Sequence, residues 1–285
     1  MNDIGYFNGE TGPIAEIRVP MDDRGAIFGD GVYDATMGYR DIVVDMEEHI
    51  QRFFHSMEQV RIPVIWSMEE LSAILTDLTA RVDAPSKMVY WQATRGTAPR
   101  KHAFPSAVKP NLWATVRPLE LTPLDRTYRA ITHPDLRYDL CHIKTVNLLP
   151  NVLAAQEALE RECDEAIFMK DGFVTEGTRH NIHIITGGGL RTAPADHRIL
   201  AGIGRKHLLA HARQLSIPVL EEAFDLPTLM SADEVIMTSS ASLCCAIGFV
   251  DGQPIGGRDP DTLRRLQQSL YHAYLAATGR KGQND

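Results

Sequence analysis

The sequence predicts an α+β chain whose second half is rich in β-hairpins. Short runs of β-forming residues are separated by strong turn signals, notably Asn8-Gly9 and Asp171-Gly172. Few stretches show helical spacing, and the strand-like runs do not alternate with helices. A doubly wound parallel sheet is therefore not expected.

The elements follow in order. Tyr6-Phe7 is a strand running into the Asn8-Gly9 turn, and Gly31–Tyr39 is a second strand after Gly29-Asp30-Gly31. Ile50, Phe53, Phe54, Met57 and Val60 recur at helical spacing across 46–60, which marks an amphipathic helix. A further helix spans 67–82, with Ser67 and Glu70 spaced as a capping box. Strands are expected over 87–94, where Val89, Tyr90 and Trp91 favour extended backbone, and over 111–116. Arg117–Pro123, with its prolines and little periodicity, is the candidate linker. The division drawn is 1–118 as the first domain, 119–125 as connector and 126–285 as the second domain. The second half reads as a strand at 128–133, a helix at 148–162, and hairpin strands at 165–169 and 173–175. Strands at 181–186 and 190–192 flank three glycines, followed by a helix at 204–215 and strands at 234–238 and 246–250.

Composition narrows the class. The chain has 285 residues, 44% hydrophobic and 23% charged, enough for a core that needs no disulfide or metal staple. A net charge of −8 argues against a nucleic-acid or anionic-membrane surface. The N-terminus lacks the basic start and apolar run of a signal peptide, and no stretch approaches a membrane span. Cys141, Cys163, Cys244 and Cys245 have neither CxxC nor zinc spacing. Reduced thiols in a cytoplasmic protein, with no metal site, are the expectation.

Four sets of residues can carry chemistry. Lys144 lies among apolar neighbours, Ile143 and Val146-Asn147-Leu148-Leu149. A desolvated amine there becomes a nucleophile toward carbonyls, although an exposed surface lysine is the plainer reading. Glu176, at the end of a hairpin strand, is placed to hold a pyridinium proton, or is a solvated turn carboxylate. Leu200-Ala201-Gly202-Ile203-Gly204-Arg205 leads from a loop into a helix, where free N–H groups favour an anion. Thr238-Ser239-Ser240-Ala241-Ser242 offers a second cluster of donors. Arg100 and His102, two apart after Pro99, share a face able to hold a carboxylate, or form a basic surface loop.

In this order, the motifs resemble the fold-type IV pyridoxal-phosphate (PLP) enzymes, within them the D-amino-acid aminotransferases. The stretches that carry the likeness are Asp23-Arg24-Gly25 with Phe28-Gly29-Asp30-Gly31-Val32-Tyr33, Thr94–Arg100 with His102, Ile143–Leu149, Val174–Gly177, Ile199–Arg205 and Thr238-Ser239-Ser240, spread over most of the chain. The resemblance implies a smaller N-terminal α/β domain, a larger C-terminal pseudo-barrel domain, and PLP as cofactor. It implies that Lys144 forms the Schiff base and moves the proton, and that Glu176 pairs with the pyridine nitrogen. Arg52, Ile203, Gly204, Ser239 and Ser240 would bind the phosphate, and Leu200 would pack on the ring. Tyr33, with Arg100 and His102 from the partner subunit of a homodimer, would hold the substrate carboxylate, and His180 would lie at the substrate pocket. Amino acids and 2-oxo acids are the implied substrates.

The chain departs from that pattern at several places. Asp34 stands for the usual Glu, Gly204 for Thr and Ala241 for a hydroxyl residue, while Thr178-Arg179-His180 replace a run of serines. These changes bear on the substrate. A branched-chain L-amino-acid aminotransferase, an (R)-amine transaminase and an aminodeoxychorismate lyase are rivals on the same fold. A non-catalytic binding module is the rival from another class.

Overall fold

The computed structural model describes residues 2–280, which form two compact units. The first comprises 2–121 together with 143–147, and the second 122–142 together with 148–280. The expected second domain, 126–285, is thus interrupted: the five residues around Lys144 belong with the first unit. The cause is backbone pairing, described below.

In the first unit β1 (Ile4–Phe7) and β2 (Glu10–Gly12) form the expected hairpin. Asn8 and Gly9 both take positive φ, 47° and 102°, as a tight primed turn requires. A short helix, α1 (Arg24–Phe28), was not foreseen. Asp23 caps its start by accepting from the Gly25 N–H, and Gly29 ends it at φ 64°. Then come β3 (Gly31–Tyr39), β4 (Ile42–Val43), α2 (Met46–Gln59), α3 (Met68–Arg81), β5 (Ser86–Thr94) and β6 (Asn111–Pro118). The strands make one antiparallel sheet in the order β2-β1-β6-β5-β3-β4. The capping box of α3 is present in full. Ile50, Phe53 and Met57 of α2 and Leu71, Leu75 and Leu78 of α3 are buried in one core with Val32, Val89 and Trp91 of the sheet. Burying each such side chain stabilises the unit by about 1.5–3 kcal/mol, which fixes the helices to the sheet.

The second unit contains β7 (Thr127–Pro134), α4 (Leu149–Glu160), β8 (Glu165–Lys170), β9 (Phe173–Gly177), β10 (Asn181–Thr186), β11 (Gly189–Thr192) and α5 (Ile203–Gln214). It continues through β12 (Val219–Glu221), α6 (Leu226–Met230), β13 (Glu234–Thr238), β14 (Cys245–Val250), β15 (Gln253–Pro254) and α7 (Pro260–Ala277). Its sheet has nine strands in the order β12-β11-β10-β13-β14-β7-β8-β9, with β15 paired to β14. The expected hairpins are there, β8–β9 turning at Asp171-Gly172 and β10–β11 at Gly187-Gly188. Parallel pairings of β7 with β8 and with β14 were not foreseen. Nor was α7, the longest helix, although Leu266, Leu270 and Tyr274 give it a readable buried stripe. No helix among the described residues is long and apolar enough to cross a membrane.

Candidate active site

Lys144 is positioned by β3. Its carbonyl accepts from the Tyr33 N–H at 2.9 Å, Thr145 bridges Val32, and the Val146 N–H donates to Gly31 O at 3.1 Å. Asn147 completes the clasp, its amide donating to Gly29 O at 2.7 Å. A Cβ at Gly29 would lie 2.4 Å from Asn147 Oδ1, so glycine is required there by space as well as by φ. The segment carrying Lys144 is thereby fastened to the N-terminal sheet although it follows that sheet by many residues. The Lys144 Nζ lies 4.2 Å from the centre of the Tyr33 ring, a cation–π distance. These are two of the residues singled out by sequence, and the fold brings them together.

Arg52 is held by a neighbour. Its Nε donates to Asp34 Oδ2 at 2.9 Å and its Nη2 to Asp34 Oδ1 at 2.7 Å, while His49 Nδ1 lies 2.7 Å from the same Oδ1. Asp34 and His49 are fully buried. Burial alone would raise the Asp34 pKa, but Arg52 and His49 outweigh it and hold the carboxyl below its ordinary range. Burial dominates at His49 and lowers its pKa.

Arg100 and His102 are exposed, on a loop fastened from below by Arg24. Arg24 Nη1 donates to Lys101 O at 2.6 Å, and its Nε donates to Asp30 Oδ2 at 2.7 Å. Arg100 and His102 both lie against Phe28, at 5.3 and 5.2 Å from its ring centre. The loop therefore presents its cations outward from a rigid base.

Glu176 is buried at the end of β9 within the second unit. Arg137 Nη1 donates to its Oε1, and the Asn181 amide and the Leu200 N–H each donate to Oε2 at 3.1 Å. Arg137 also grips Asp135 through Nε at 2.9 Å and Nη2 at 2.7 Å. Burial would lower the Arg137 pKa, but Asp135 and Glu176 raise it on balance, so the guanidinium stays charged. Sequence reasoning passed over Arg137, Asp135 and Asn181. The Asp135-Leu136-Arg137 alternation was the available signal, since residues two apart share a face.

Gly202 caps α5 without a side-chain bond, leaving the first-turn N–H groups of Ile203 and Gly204 without intrahelical partners. A Cβ at Gly204 would meet the Ser239 backbone at 3.0 to 3.3 Å, so this glycine lets the turn after β13 approach the helix start. Ser239 is thereby brought against the start of α5. His183 on β10 bonds Thr238 Oγ1 at 2.9 Å, and burial pushes its pKa down to about 3. His180 is buried, with Nδ1 on Glu165 and Nε2 3.1 Å from Ser242 Oγ. Both of its ring nitrogens are engaged inside the unit. Arg179 beside it is exposed.

A small antiparallel sheet unit and a larger unit built on a curled half-barrel sheet define the fold-type IV aminotransferase architecture. The chain belongs to the amino-transferase class IV family, whose model matches residues 31–248, and class IV aminotransferases work with PLP. It is 35% identical over 275 residues to a D-alanine aminotransferase of Staphylococcus epidermidis, covering 95% of this chain and 97% of that one. Its fold is similar to that of the Escherichia coli branched-chain amino acid aminotransferase, with TM-score 0.88 at 23% identity over 100% of this chain and 98% of that one. It is also similar to the branched-chain amino acid aminotransferase of T.th. solved with pyridoxamine 5'-phosphate, with TM-score 0.86 at 22% identity over 98% of this chain and 95% of that one.

Proposed function

We propose that this protein is a PLP-dependent transaminase that moves an amino group between a D-amino acid and a 2-oxo acid, of the D-alanine/D-glutamate type, as a cytoplasmic homodimer. Glu176 carries this reading. A buried carboxylate ringed by a guanidinium, an amide and a backbone N–H is stabilised as the anion, the state needed to keep a proton on a ring nitrogen.

The donor set fits the cofactor. The cradle of Ile203, Gly204, Ser239 and Ser240 is anionophilic, and the Gly204 site is one that a Cβ would fill. When bound, the cofactor supplies a carbonyl that takes up the amino group and a ring that accepts electrons from the substrate Cα. The rest falls to the chain. Lys144 Nζ takes the proton from the substrate Cα and returns it on the reverse course, Tyr33 setting the amine's direction. Glu176 holds the ring-nitrogen proton. Arg52 and the cradle would hold the phosphate, and Leu200 would pack on the ring.

Tyr33, with the partner subunit's Arg100 and the partner subunit's His102, holds the substrate carboxylate. Two observations support this arrangement: the outward, rigidly based loop, and an exposed apolar stripe on α4 for a second copy to cover. In that stripe Leu149, Val152 and Leu153 are 68%, 59% and 60% exposed. The higher identity to a D-alanine aminotransferase than to the branched-chain enzymes favours the D-amino acids.

The test begins with spectral titration of the apoprotein with PLP, then borohydride reduction and peptide mapping. Label on Lys144 is expected, and Lys144→Ala should lower turnover by about 10²–10⁴-fold. Half-reactions with D-alanine, D-glutamate, L-leucine and (R)-phenylethylamine then read the donor. Conversion by L-leucine and not by the D-amino acids would refute the substrate assignment.

A further inference from the structure

The departure at 178–180 has a structural consequence that concerns the cofactor's phosphate end, and it rests on the cofactor reading above. Glu165 begins β8 and is almost wholly buried. Its Oε1 accepts from the Ala166 N–H at 2.8 Å, the Thr178 N–H at 2.9 Å and the Thr178 hydroxyl at 2.5 Å. Its Oε2 pairs with His180 Nδ1. Burial opposes the charged form of Glu165, but the His180 and Thr178 contacts outweigh it and lower its pKa. A carboxylate can only accept, so Nδ1 carries the proton toward Glu165. The other ring nitrogen, Nε2, is hydrogen-bonded with the Ser242 hydroxyl across 3.1 Å. The Ser242 N–H in turn donates to Ser239 Oγ at 3.1 Å, and the Leu243 N–H donates to Ser239 O at 3.1 Å. Accepting through a lone pair, Ser239 Oγ keeps its O–H available as a donor.

We propose that His180 is a positioning residue for the phosphate cradle. Anchored on Glu165, it fixes the 239–243 turn so that Ser239 and its neighbours point donors at the cofactor's phosphate. The need for such a brace follows from the make-up of the cradle. Gly204 and Ala241 carry no hydroxyl, which leaves the cradle dependent on backbone N–H groups and the two serines, and N–H donors are only as good as the turn that holds them. The same strand junction carries Asn181, whose amide bonds Glu176. His180 thus lies one residue from the support of the ring-nitrogen end and reaches to the phosphate end.

The experiment compares two ligands on the apoprotein: PLP, and pyridoxal, which lacks the phosphate. His180→Ala and the milder Ser242→Ala should each weaken PLP binding by about tenfold. They should leave pyridoxal affinity and the KM for D-alanine at saturating PLP unchanged. The double variant should be no worse than His180→Ala alone, since both remove one link. Unaltered PLP affinity, or an equal loss for PLP and pyridoxal, would overturn the proposal. So would a rise in KM with PLP affinity intact, the signature of a substrate contact. If the wild-type apoprotein took up neither ligand, the cofactor reading would fail and this inference with it.

Discussion

Arg52 and Asp34 meet through two parallel hydrogen bonds, 2.9 Å from Nε to Oδ2 and 2.7 Å from Nη2 to Oδ1, with Asp34 wholly buried. The pair joins α2 to β3 and fixes the direction of the guanidinium. Asp34→Asn is expected to cost about 3–5 kcal/mol, because Arg52 loses the charge that compensates it. The Asp34 pKa is depressed in the folded protein, so its contribution is fully present above the unfolded value of about 4 and fades as pH falls toward the folded value. Urea unfolding of both proteins between neutral and acid pH should show the wild-type advantage shrinking only in the acid range.

Removing Arg137 should be costly in a different way. Arg137→Met would leave Asp135 and Glu176 as neighbouring buried carboxylates without their shared cation. A loss of about 3–5 kcal/mol is expected at neutral pH. Protonation of one carboxyl relieves the repulsion, so the deficit should narrow on acidification. Paired unfolding curves as a function of pH check this, and a deficit independent of pH would contradict it.

At Gly204 the prediction runs against the family pattern. The resemblance implies threonine there, yet in this chain a Cβ would press on the Ser239 backbone at 3.0 to 3.3 Å. Gly204→Thr should therefore displace the turn, costing about 1–3 kcal/mol and weakening PLP binding despite the added hydroxyl. Melting curves of the apoprotein and PLP titration measure the two effects separately.

Arg100→Ala addresses the substrate. A guanidinium–carboxylate contact contributes about 1.5–3 kcal/mol, so KM for D-alanine should rise by about 10- to 100-fold. A simple amine without a carboxylate should be unaffected. Equal effects on both donors would remove Arg100 from the binding site.

Much of this chain could be read residue by residue. Asn8-Gly9, Asp171-Gly172, the capping box at Ser67 and the spacing of Ile50, Phe53 and Met57 each act within a few residues, and the structure realises all of them. Lys144 and Glu176 stood out because an amine in apolar company and a carboxylate closing a hairpin strand are local anomalies. The helix α7 was equally readable but was passed over.

The linear chain settled the hairpin turns, the capping box and the amphipathic helices, and it marked the candidate reactive side chains, because those signals depend on near neighbours. Partnership came from the fold. Arg137 meets Glu176 across 39 positions, His180 meets Ser242 across 62, and Asn147 reaches Gly29 across 118. Such pairings depend on strand order and register, including the parallel neighbours of β7. No periodicity encodes them, because burial is decided by what the whole sheet packs against.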